Sequence, residues 1–300
     1  MTTLPKIIAI VGPTASGKTA LSVALAQKYH GEIVSADSRQ IYRGMDIGTA
    51  KPPVSERGGI PHYLFDIKDP NEEYTVADYK HDAVLAIQDI LNKKKLPILV
   101  GGTGLYIDAV LDNLDIPKIK ADPELRAKIE KDIAENGLAA VVKKLVDRDP
   151  EAAYIVDPKN PRRVVRALEV AILTGEPFTA QRKKNEPLFD ALKIGMNLPP
   201  ETLRERIDLR IDRMMQDGLV SEVETLVKKY GKSCVAFDAI GYREIVNYLD
   251  GISSLEQAAD IMKHNTWHYA KRQMTWFRKD KNIQWIAKPE EAERIAEEFL

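Results

Sequence analysis

One short segment constrains the fold more than any other part of the sequence. The apolar run Lys6–Val11 is followed by Gly-Pro-Thr-Ala-Ser-Gly-Lys-Thr and then by apolar residues at helical spacing as far as Tyr29. A strand, a small-residue loop and a helix in this order are typical of a loop whose backbone N–H groups bind phosphate at a helix N-terminus. The sequence therefore predicts a parallel α/β sheet and a phosphorylated ligand.

The predicted phosphate-binding loop comprises Gly12, Pro13, Thr14, Ala15, Ser16, Gly17, Lys18 and Thr19. Small residues allow successive N–H groups to converge on one anion. Lys18 adds a positive charge, and the Thr19 hydroxyl is predicted to bind Mg²⁺, the cofactor that we expect. A chance match is the weaker interpretation, because a strand pattern precedes the loop and a helix pattern follows it.

The patterns along the chain indicate two domains. Strands are predicted at 6–11, 32–36, 96–100, 192–197 and 283–286, with helices at 17–29, 75–93, 201–229, 238–250, 254–278 and 289–299. Between them, residues 119–186 contain no strand pattern, and their Asp-Pro and Asn-Pro pairs at 122, 149, 157 and 160 suit helix N-termini. We predict a P-loop NTPase-like core of residues 1–118 and 187–300, a parallel sheet flanked by helices, with an all-helical insertion of residues 119–186.

Composition excludes several classes of protein. The 44 Lys and Arg residues balance 45 Asp and Glu residues, so any nucleic-acid surface must come from local clustering of charge. A single cysteine, Cys234, excludes a disulfide framework and a cysteine-based zinc module. Because the sequence shows neither a secretory signal nor a long apolar run, we expect a cytoplasmic protein that does not bind membranes.

The end of the strand at 96–100 differs from that of most P-loop NTPases. Those proteins place an acid there to hold the Mg²⁺ shell, whereas this strand runs into Gly101-Gly-Thr103-Gly. The missing acid argues against a motor protein or a GTPase, which must position both water and metal for hydrolysis. It favours a loop that binds diphosphate as a leaving group.

Asp37 lies at the end of the second predicted strand, at the same edge of the sheet as the phosphate-binding loop. A carboxylate beside bound phosphate costs electrostatic energy, which indicates a function such as accepting a proton from a nucleophile. The structural alternative is an aspartate that caps the next turn. Gln40, three residues on, can pair two-pronged with an adenine edge.

The chain resembles the bacterial tRNA dimethylallyltransferase family, also called IPP transferases. The likeness extends from residue 12 to residue 244 and is carried by the loop at 12–19, Ser35-Ala-Asp-Ser-Arg-Gln-Ile-Tyr42, Gly44-Met-Asp-Ile-Gly-Thr-Ala-Lys-Pro52, Gly101-Gly-Thr-Gly-Leu-Tyr106, Asn160-Pro-Arg-Arg-Val-Val-Arg-Ala-Leu-Glu169 and Gly241-Tyr-Arg-Glu244. The resemblance implies transfer of a dimethylallyl group from dimethylallyl diphosphate to N6 of the adenosine at tRNA position 37, beside the anticodon, with release of diphosphate.

The resemblance also implies catalytic roles for Asp37, Thr103, Lys18 and Arg210. The phosphate-binding loop and Mg²⁺ would hold the diphosphate, and Asp37 would take the amine proton. Thr103 would orient the attacking base. Arg210 would reach the diphosphate, although Arg213 is a close rival on sequence alone.

The resemblance further implies contacts with the tRNA anticodon stem-loop by Asp37, Ser38, Arg39, Gln40, Thr103, Arg126, Pro161, Arg162, Arg163, Val164, Val165 and Arg166. From the residues alone, the arginines at 162, 163 and 166 fit either an RNA contact or a solvated helix face with ion pairs to Glu169 or Asp157. The expected partners are tRNA and dimethylallyl diphosphate. We expect a monomer without an obligate protein partner.

The C-terminal helix pattern at 254–278 mixes aromatic and basic residues. Trp267, Ala270, Met274 and Phe277 fall on one helical stripe, which predicts packing against the core rather than base stacking. Basic residues such as Lys271 are then left outward to meet phosphate.

Other functions remain open at this point. A small-molecule kinase would share the fold and the loop, and would bind and consume ATP. An isopentenyltransferase acting on free AMP or ADP would need no large insertion, and the helical segment at 119–186 argues against it. A non-catalytic RNA-binding protein is disfavoured because Lys18, Thr19 and Asp37 are intact.

Overall fold

The computed structural model describes residues 4–116, 119, 122–182 and 184–300, which contain six parallel strands in one sheet. The strands are β1 (Lys6–Val11), β2 (Gly31–Ser35), β3 (His62–Tyr63), β4 (Leu96–Gly101), β5 (Asp190–Met196) and β6 (Ile283–Ile286). Their order is β3-β2-β4-β1-β5-β6. The predicted parallel sheet is confirmed, and the short strand β3 is an addition that the sequence did not indicate.

The central strand β1 explains the apolar run in the sequence. It pairs with β4 on one side and with β5 on the other. Ile7 and Val11 pack into the core on one face of the sheet, whereas Ile8 and Ile10 pack into the core on the opposite face. Because both faces are covered, the strand is apolar at every position from 7 to 11.

Twelve helices lie within the described residues. They are α1 (Lys18–Lys28), α2 (Val76–Asn92), α3 (Gly104–Leu111), α4 (Pro123–Asn136), α5 (Leu138–Arg148), α6 (Ala152–Ile155), α7 (Pro161–Thr174), α8 (Pro200–Gln216), α9 (Leu219–Tyr230), α10 (Tyr242–Leu249), α11 (Leu255–Phe277) and α12 (Pro289–Phe299). None of the helices in these described ranges is both long and apolar enough to cross a membrane.

The prediction of a single helix over 201–229 is wrong. The chain forms α8 and α9 instead, separated at Gly218, whose φ is 99°. A residue in this left-handed conformation cannot continue a right-handed helix, and glycine adopts it without a steric penalty. The amphipathic pattern continues across the break because both helices pack on the same apolar cluster through residues such as Ile207, Ile211 and Val223.

The chain divides into two compact units, one of Met1–Leu111 with Pro187–Leu300 and one of Asp112–Glu186. The first boundary therefore lies at 111/112, not at the predicted 118/119. The reason is that α3 packs with the core of the first unit as far as Leu111, whereas Leu114 already pairs with Lys184 of the second.

The described part of the second unit is built from α4, α5, α6 and α7. Asp122 and Asn160 cap α4 and α7 through their side chains, and proline follows each of them, as predicted. The same prediction for the Asp-Pro pairs at 149 and 157 is wrong. Asp149 is buried and accepts hydrogen bonds from the backbone and the hydroxyl of Thr179, and Asp157 accepts from the N–H of Lys159 in a turn.

Candidate active site

The three loops at the carboxyl ends of β1, β2 and β4 meet at one cavity. The cavity has a volume of about 1160 Å³ and is lined by residues 14–20, Asp37, Gln40, Gly101 and Gly102, among others. A parallel sheet places its ligands at this edge. The convergence of loops expected from the sequence is therefore present in the fold.

The phosphate-binding loop has the backbone geometry of an anion cradle. Gly12, Ala15 and Gly17 have positive φ angles of 139°, 61° and 97°, and α1 begins directly after Gly17. Such left-handed residues turn successive N–H groups toward one point. Lys18 Nζ donates a 2.7 Å hydrogen bond to the Pro13 carbonyl, which folds the lysine back over the loop.

The pKa of Lys18 is lowered from its ordinary value to about 7. Burial is the main cause because it disfavours the ammonium form, and the positive charge of Arg210 acts in the same direction. The Asp37 carboxylate opposes both effects. The negative charge of a bound diphosphate would stabilise the ammonium form of this lysine.

Three arginines on one face of α8 line the same cavity, and they are Arg206, Arg210 and Arg213. Arg210 Nη1 lies 3.4 Å from Thr14 Oγ1, so the guanidinium touches the phosphate-binding loop. This contact favours Arg210 over Arg213 as the arginine that reaches the diphosphate. Arg206 was not among the predicted site residues, although its position one turn before Arg210 was a signal in the sequence.

Asp37 lines the cavity and also holds a turn. Its Oδ1 accepts hydrogen bonds from the N–H of Arg39 at 2.8 Å and of Gln40 at 3.4 Å. The structural alternative considered from the sequence is thus present. The turn uses only the Oδ1 oxygen of the carboxylate. Because Oδ2 has no hydrogen-bond partner among the described residues, this second oxygen is available as a base.

Thr103 ties the glycine loop to the loop after β2. Its Oγ1 accepts a 3.1 Å hydrogen bond from the N–H of Ser38, and its own N–H donates to the Ala36 carbonyl at 3.2 Å. Its hydroxyl also donates to Ser38 Oγ at 3.4 Å, and Tyr269 of α11 lines the same cavity. Burial, reinforced by the nearby Asp37 charge, raises the pKa of Tyr269 to about 12. The phenol therefore stays neutral near pH 7 and can donate a proton to a hydrogen bond.

The Gln40 amide is engaged within the protein. Its Nε2 lies 3.1 Å from the Thr49 carbonyl and 3.3 Å from the Ala50 carbonyl, and its Oε1 lies 3.4 Å from Ser35 Oγ. Pairing with an adenine edge would require these amide protons to leave the backbone. In this conformation Gln40 positions the 49–50 segment at the wall of the cavity.

Close packing explains why no acid ends β4. A Cβ on Gly101 would lie 2.0 Å from the Ala36 carbonyl oxygen, and a Cβ on Gly104 would lie 2.3 Å from the Trp276 ring. Neither position has room for a side chain. Residues 101 and 104 are thus confined by Ala36, directly after β2, and by Trp276 of α11, so neither of these two positions could carry a carboxylate.

The segment 44–52 forms another wall of the cavity and is anchored by a buried lysine. Lys51 Nζ donates to Asp46 Oδ1 at 2.7 Å, to Asp66 Oδ1 at 2.6 Å and to the Tyr42 carbonyl at 2.9 Å. These three acceptors match the three protons of the ammonium group. The Lys-Pro motif in this segment is therefore structural.

Glu222 of α9 fixes the same segment from the other side. Its carboxylate accepts the backbone N–H groups of residues 46, 47 and 48, and a 2.6 Å hydrogen bond from the Tyr242 hydroxyl. A Cβ on Gly48 would lie 2.5 Å from the Tyr242 ring. The Gly-Tyr-Arg-Glu motif at 241–244 thus helps to shape the cavity through Tyr242, and its Gly241 also lies close to Gly48.

In the second unit, two of the predicted RNA-binding arginines hold a buried carboxylate. Arg126 donates two hydrogen bonds to Glu169, at 2.9 and 3.1 Å, and Arg166 donates one at 2.7 Å. Burial alone would raise the pKa of Glu169, but these hydrogen bonds outweigh it and lower the pKa. For Arg166, the interpretation of an ion pair to Glu169 is therefore correct. The part of the Arg166 side chain that stays exposed is what is left for a contact with RNA.

The remaining predicted RNA-binding residues of α7 fall into an exposed group and a buried group. Pro161, Arg162 and Arg163 are exposed at the start of the helix. Val164 and Val165 lie instead in the core of the unit, and the N–H of Val164 donates to the Asn160 carbonyl. Side-chain contacts of the two valines with RNA are therefore excluded while this packing is kept.

The residues around the phosphate-binding loop fit a diphosphate-bound Mg²⁺. Thr19 is exposed at the cavity, and the buried Ser16 Oγ has no hydrogen-bond partner within the described part of the chain. That part contains no group of three or more His, Cys, Asp or Glu side chains that could hold a metal by themselves. Mg²⁺ commonly takes one or two protein oxygens and completes its shell with phosphate and water.

Two residues of α11 were missed from the sequence. Tyr269 and Gln273 lie one turn apart and both line the cavity. The predicted packing stripe does point inward through Ala270 and Phe277, which are buried. The sequence did not indicate that another face of the same 23-residue helix lines the cavity, because the apolar stripe marks only the face that packs against the core.

Comparisons with known proteins agree with one family. A model of the family described as IPP transferase matches residues 40–280. The tRNA dimethylallyltransferase of Acetivibrio thermocellus is 47% identical over 291 residues, which cover 96% of this chain and 93% of that protein. That of Halalkalibacterium halodurans is 45% identical over 284 residues, or 94% of this chain and 90% of that protein.

Solved structures show the same similarity. The tRNA isopentenylpyrophosphate transferase of Bacillus halodurans has a TM-score of 0.70 and 44% identity, covering 94% of this chain and 89% of that one. A eukaryotic dimethylallyltransferase acting on tRNA has a TM-score of 0.77 and 30% identity, covering 94% of this chain and 74% of that one. The family match and the cavity at the sheet edge lead to the same conclusion: this chain belongs to the IPP transferase family.

Proposed function

We propose that this protein transfers a dimethylallyl group from dimethylallyl diphosphate to N6 of the adenosine at position 37 of tRNA. The observation that carries the proposal is the cavity itself, in which a cationic phosphate-binding loop faces the Asp37 carboxylate. β4 ends at Gly101 without an acid, and a Cβ there would lie 2.0 Å from the Ala36 carbonyl oxygen. This arrangement suits release of diphosphate to an organic nucleophile better than hydrolysis of a nucleotide.

The reaction exchanges one bond for another. The N6 amine forms a bond to C1 of the dimethylallyl group while the C1–O bond breaks, and its electron pair leaves with the diphosphate. Lys18 and Arg210 stabilise the charge that develops on the leaving oxygen. Asp37 accepts the proton that N6 loses, which leaves neutral N6-dimethylallyladenosine.

Mg²⁺, when bound with the diphosphate, would supply further positive charge to the leaving group. Thr19 is the residue that we assign to it. We assign the orientation of the adenine to Thr103, which is tied to Ser38 beside Asp37, and to Tyr269, which lines the same cavity.

The RNA substrate is supported by the relatives, which are named tRNA dimethylallyltransferases, and by the solved eukaryotic enzyme described as acting on tRNA. Arg163 is the strongest candidate contact in the second unit. It is exposed at the N-terminus of α7, and its guanidinium has no hydrogen bond or ion pair to another described residue. Arginine in this setting binds phosphate or stacks on an unpaired base.

The proposal is tested by incubating unmodified bacterial tRNA with the protein, Mg²⁺ and dimethylallyl diphosphate, followed by nucleoside mass analysis. We expect a mass gain of one dimethylallyl group on the adenosine beside the anticodon. Alkylation of AMP or ADP without reaction on tRNA would assign the protein to the free-nucleotide isopentenyltransferases. Consumption of ATP without prenyl transfer would assign it to the kinases.

We expect Arg163→Ala to weaken tRNA binding without changing the affinity for dimethylallyl diphosphate. Removing one phosphate contact should also reduce the slope of log Kd against log salt concentration by about 1. Filter binding of tRNA over a salt series measures both effects. Arg148→Ala provides a matched control, because Arg148 is also exposed and ends α5 in the same unit. Equal losses in the two variants would show that Arg163 acts only through general charge.

A further inference from the structure

The side chain of Gln273 joins the two loops that the proposed reaction must bring together. Its Oε1 accepts a 2.9 Å hydrogen bond from the N–H of Thr14, in the phosphate-binding loop. Its Nε2 donates a 2.9 Å hydrogen bond to the carbonyl of Gly102, in the glycine loop. The residue is only 5% exposed, so these hydrogen bonds are made away from solvent.

The bridge is tightly specified by its surroundings. A Cβ on Gly102 would lie 2.1 Å from Gln273 Nε2, so any larger residue there would displace the amide. The use of the Thr14 N–H by Gln273 also removes that group from the set that can bind phosphate. Arg210 Nη1 contacts the Thr14 hydroxyl. Thr14 is therefore held through its backbone by Gln273 and through its side chain by Arg210.

The two bridged loops serve opposite partners of the proposed reaction. The phosphate-binding loop holds the leaving group, whereas the glycine loop carries Thr103, which is tied to Ser38 beside Asp37. The distance between these loops therefore sets the distance between the dimethylallyl carbon and the amine. Transfer between bound reactants is sensitive to such spacing, because a misplacement of 1 Å can cost about 100-fold in rate.

We propose that Gln273 is a positioning residue that sets the spacing between the diphosphate cradle and the adenosine-binding side of the cavity. The inference rests on the proposed function. It assigns to Gln273 no contact with either substrate. Its effect must consequently fall on the rate of transfer rather than on the binding of the two substrates taken separately.

The test compares Gln273→Met with the wild-type protein. Methionine has a similar length but neither a carbonyl acceptor nor an amide donor. We expect the single-turnover rate of prenyl transfer to fall by about 10- to 100-fold, with unchanged Kd values for dimethylallyl diphosphate and for tRNA. Thr275→Ala is the matched control. It removes a 3.0 Å hydrogen bond from the exposed Thr275 hydroxyl to the Lys271 carbonyl in the same helix without touching either loop, and it should keep the wild-type rate.

A second variant covers the case in which Gln273→Met does not fold. Gly102→Ala leaves the glutamine in place but forces its amide away from the carbonyl, and the next nearest atom to the new Cβ is still the Gln273 Cδ at 3.3 Å. We expect the same loss of rate with both affinities kept. In the double variant the two losses should not add, since each breaks the same bridge.

The results that would overturn the inference are distinct from a failure of the proposed function. A near-normal rate in Gln273→Met, or a loss of both affinities in step with the rate, would show that Gln273 only packs the core. Absence of prenyl transfer by the wild-type protein itself would instead remove the proposed function on which the inference rests.

Discussion

Replacing Asp37 with asparagine should reduce the turnover of tRNA prenylation by about 10²- to 10⁴-fold, the range typical for loss of a general base. The asparagine keeps the side-chain oxygen that accepts the N–H groups of Arg39 and Gln40, so the turn after β2 should survive. It cannot take a proton from N6 near neutral pH. Steady-state kinetics and tRNA binding measured on the same variant separate these two roles.

Asp37→Ala provides the comparison. It removes both the base and the turn, so it should lose turnover to a similar extent and add a loss of thermal stability that Asp37→Asn does not show. Both variants should still bind tRNA. Near-normal turnover in Asp37→Asn would remove Asp37 from the role of base and leave it as a residue that caps the turn.

The catalytic efficiency for dimethylallyl diphosphate should fall as pH rises, because Lys18 loses its positive charge. Because the pKa of Lys18 in the free protein is about 7, its ammonium form is lost as pH increases through that value. The ammonium is the form that attracts diphosphate. We expect kcat/KM for dimethylallyl diphosphate, which reports the free protein, to fall on the order of tenfold between about pH 7.5 and pH 8.5. The profile of kcat should be flatter, because bound diphosphate raises the pKa of Lys18.

Lys18→Arg tests the assignment of this pH dependence. Arginine keeps its positive charge throughout the range, so the variant should lose the decline in kcat/KM even if its overall activity is lower. Lys18→Met should have a low kcat/KM at every pH. A wild-type profile that stays level above pH 7, or an unchanged decline in Lys18→Arg, would contradict the role given to Lys18.

Much of the cavity could be anticipated because its loops are short segments directly after strands. The apolar run of β1 predicts a strand covered on both faces, and the small residues after it predict the phosphate-binding loop. Asp37 and the glycine loop follow β2 and β4 in the same way. When strands are parallel, segments that follow them lie at one edge of the sheet, so their proximity can be inferred without knowing the rest of the fold.

The parts that were not anticipated depend on contacts between distant segments. The pairing of Gln273 with Thr14 and Gly102 joins residues more than 170 positions apart in the sequence. No local pattern marks such a residue, because the same helix also carries the apolar stripe that packs the core. The break at Gly218 was likewise hidden by an amphipathic pattern that continues across both helices.

Residues of the motif at the start of α7 also differ in burial, which the sequence did not indicate. The arginines and valines at the start of α7 were predicted together as an RNA-binding group, but Val164 and Val165 belong to the core of their unit, while Arg163 remains exposed. Arg126 and Arg166 are committed to the buried Glu169. A motif records which residues occur together, and only the packed unit shows which of them face solvent.

The sequence by itself determined the family, through motifs that resemble those of its members from residue 12 to residue 244. It also determined the parallel sheet and the loops at its edge, since these follow from local periodicity and from residues that are adjacent in the chain. The tertiary structure decided which side chains complete the cavity: Arg206 on α8, and Tyr269 and Gln273 on α11. The physical reason is that a segment that directly follows a parallel strand lies at the edge of the sheet whatever the rest of the fold is. Hydrogen bonds across a cavity depend instead on how distant helices pack around it.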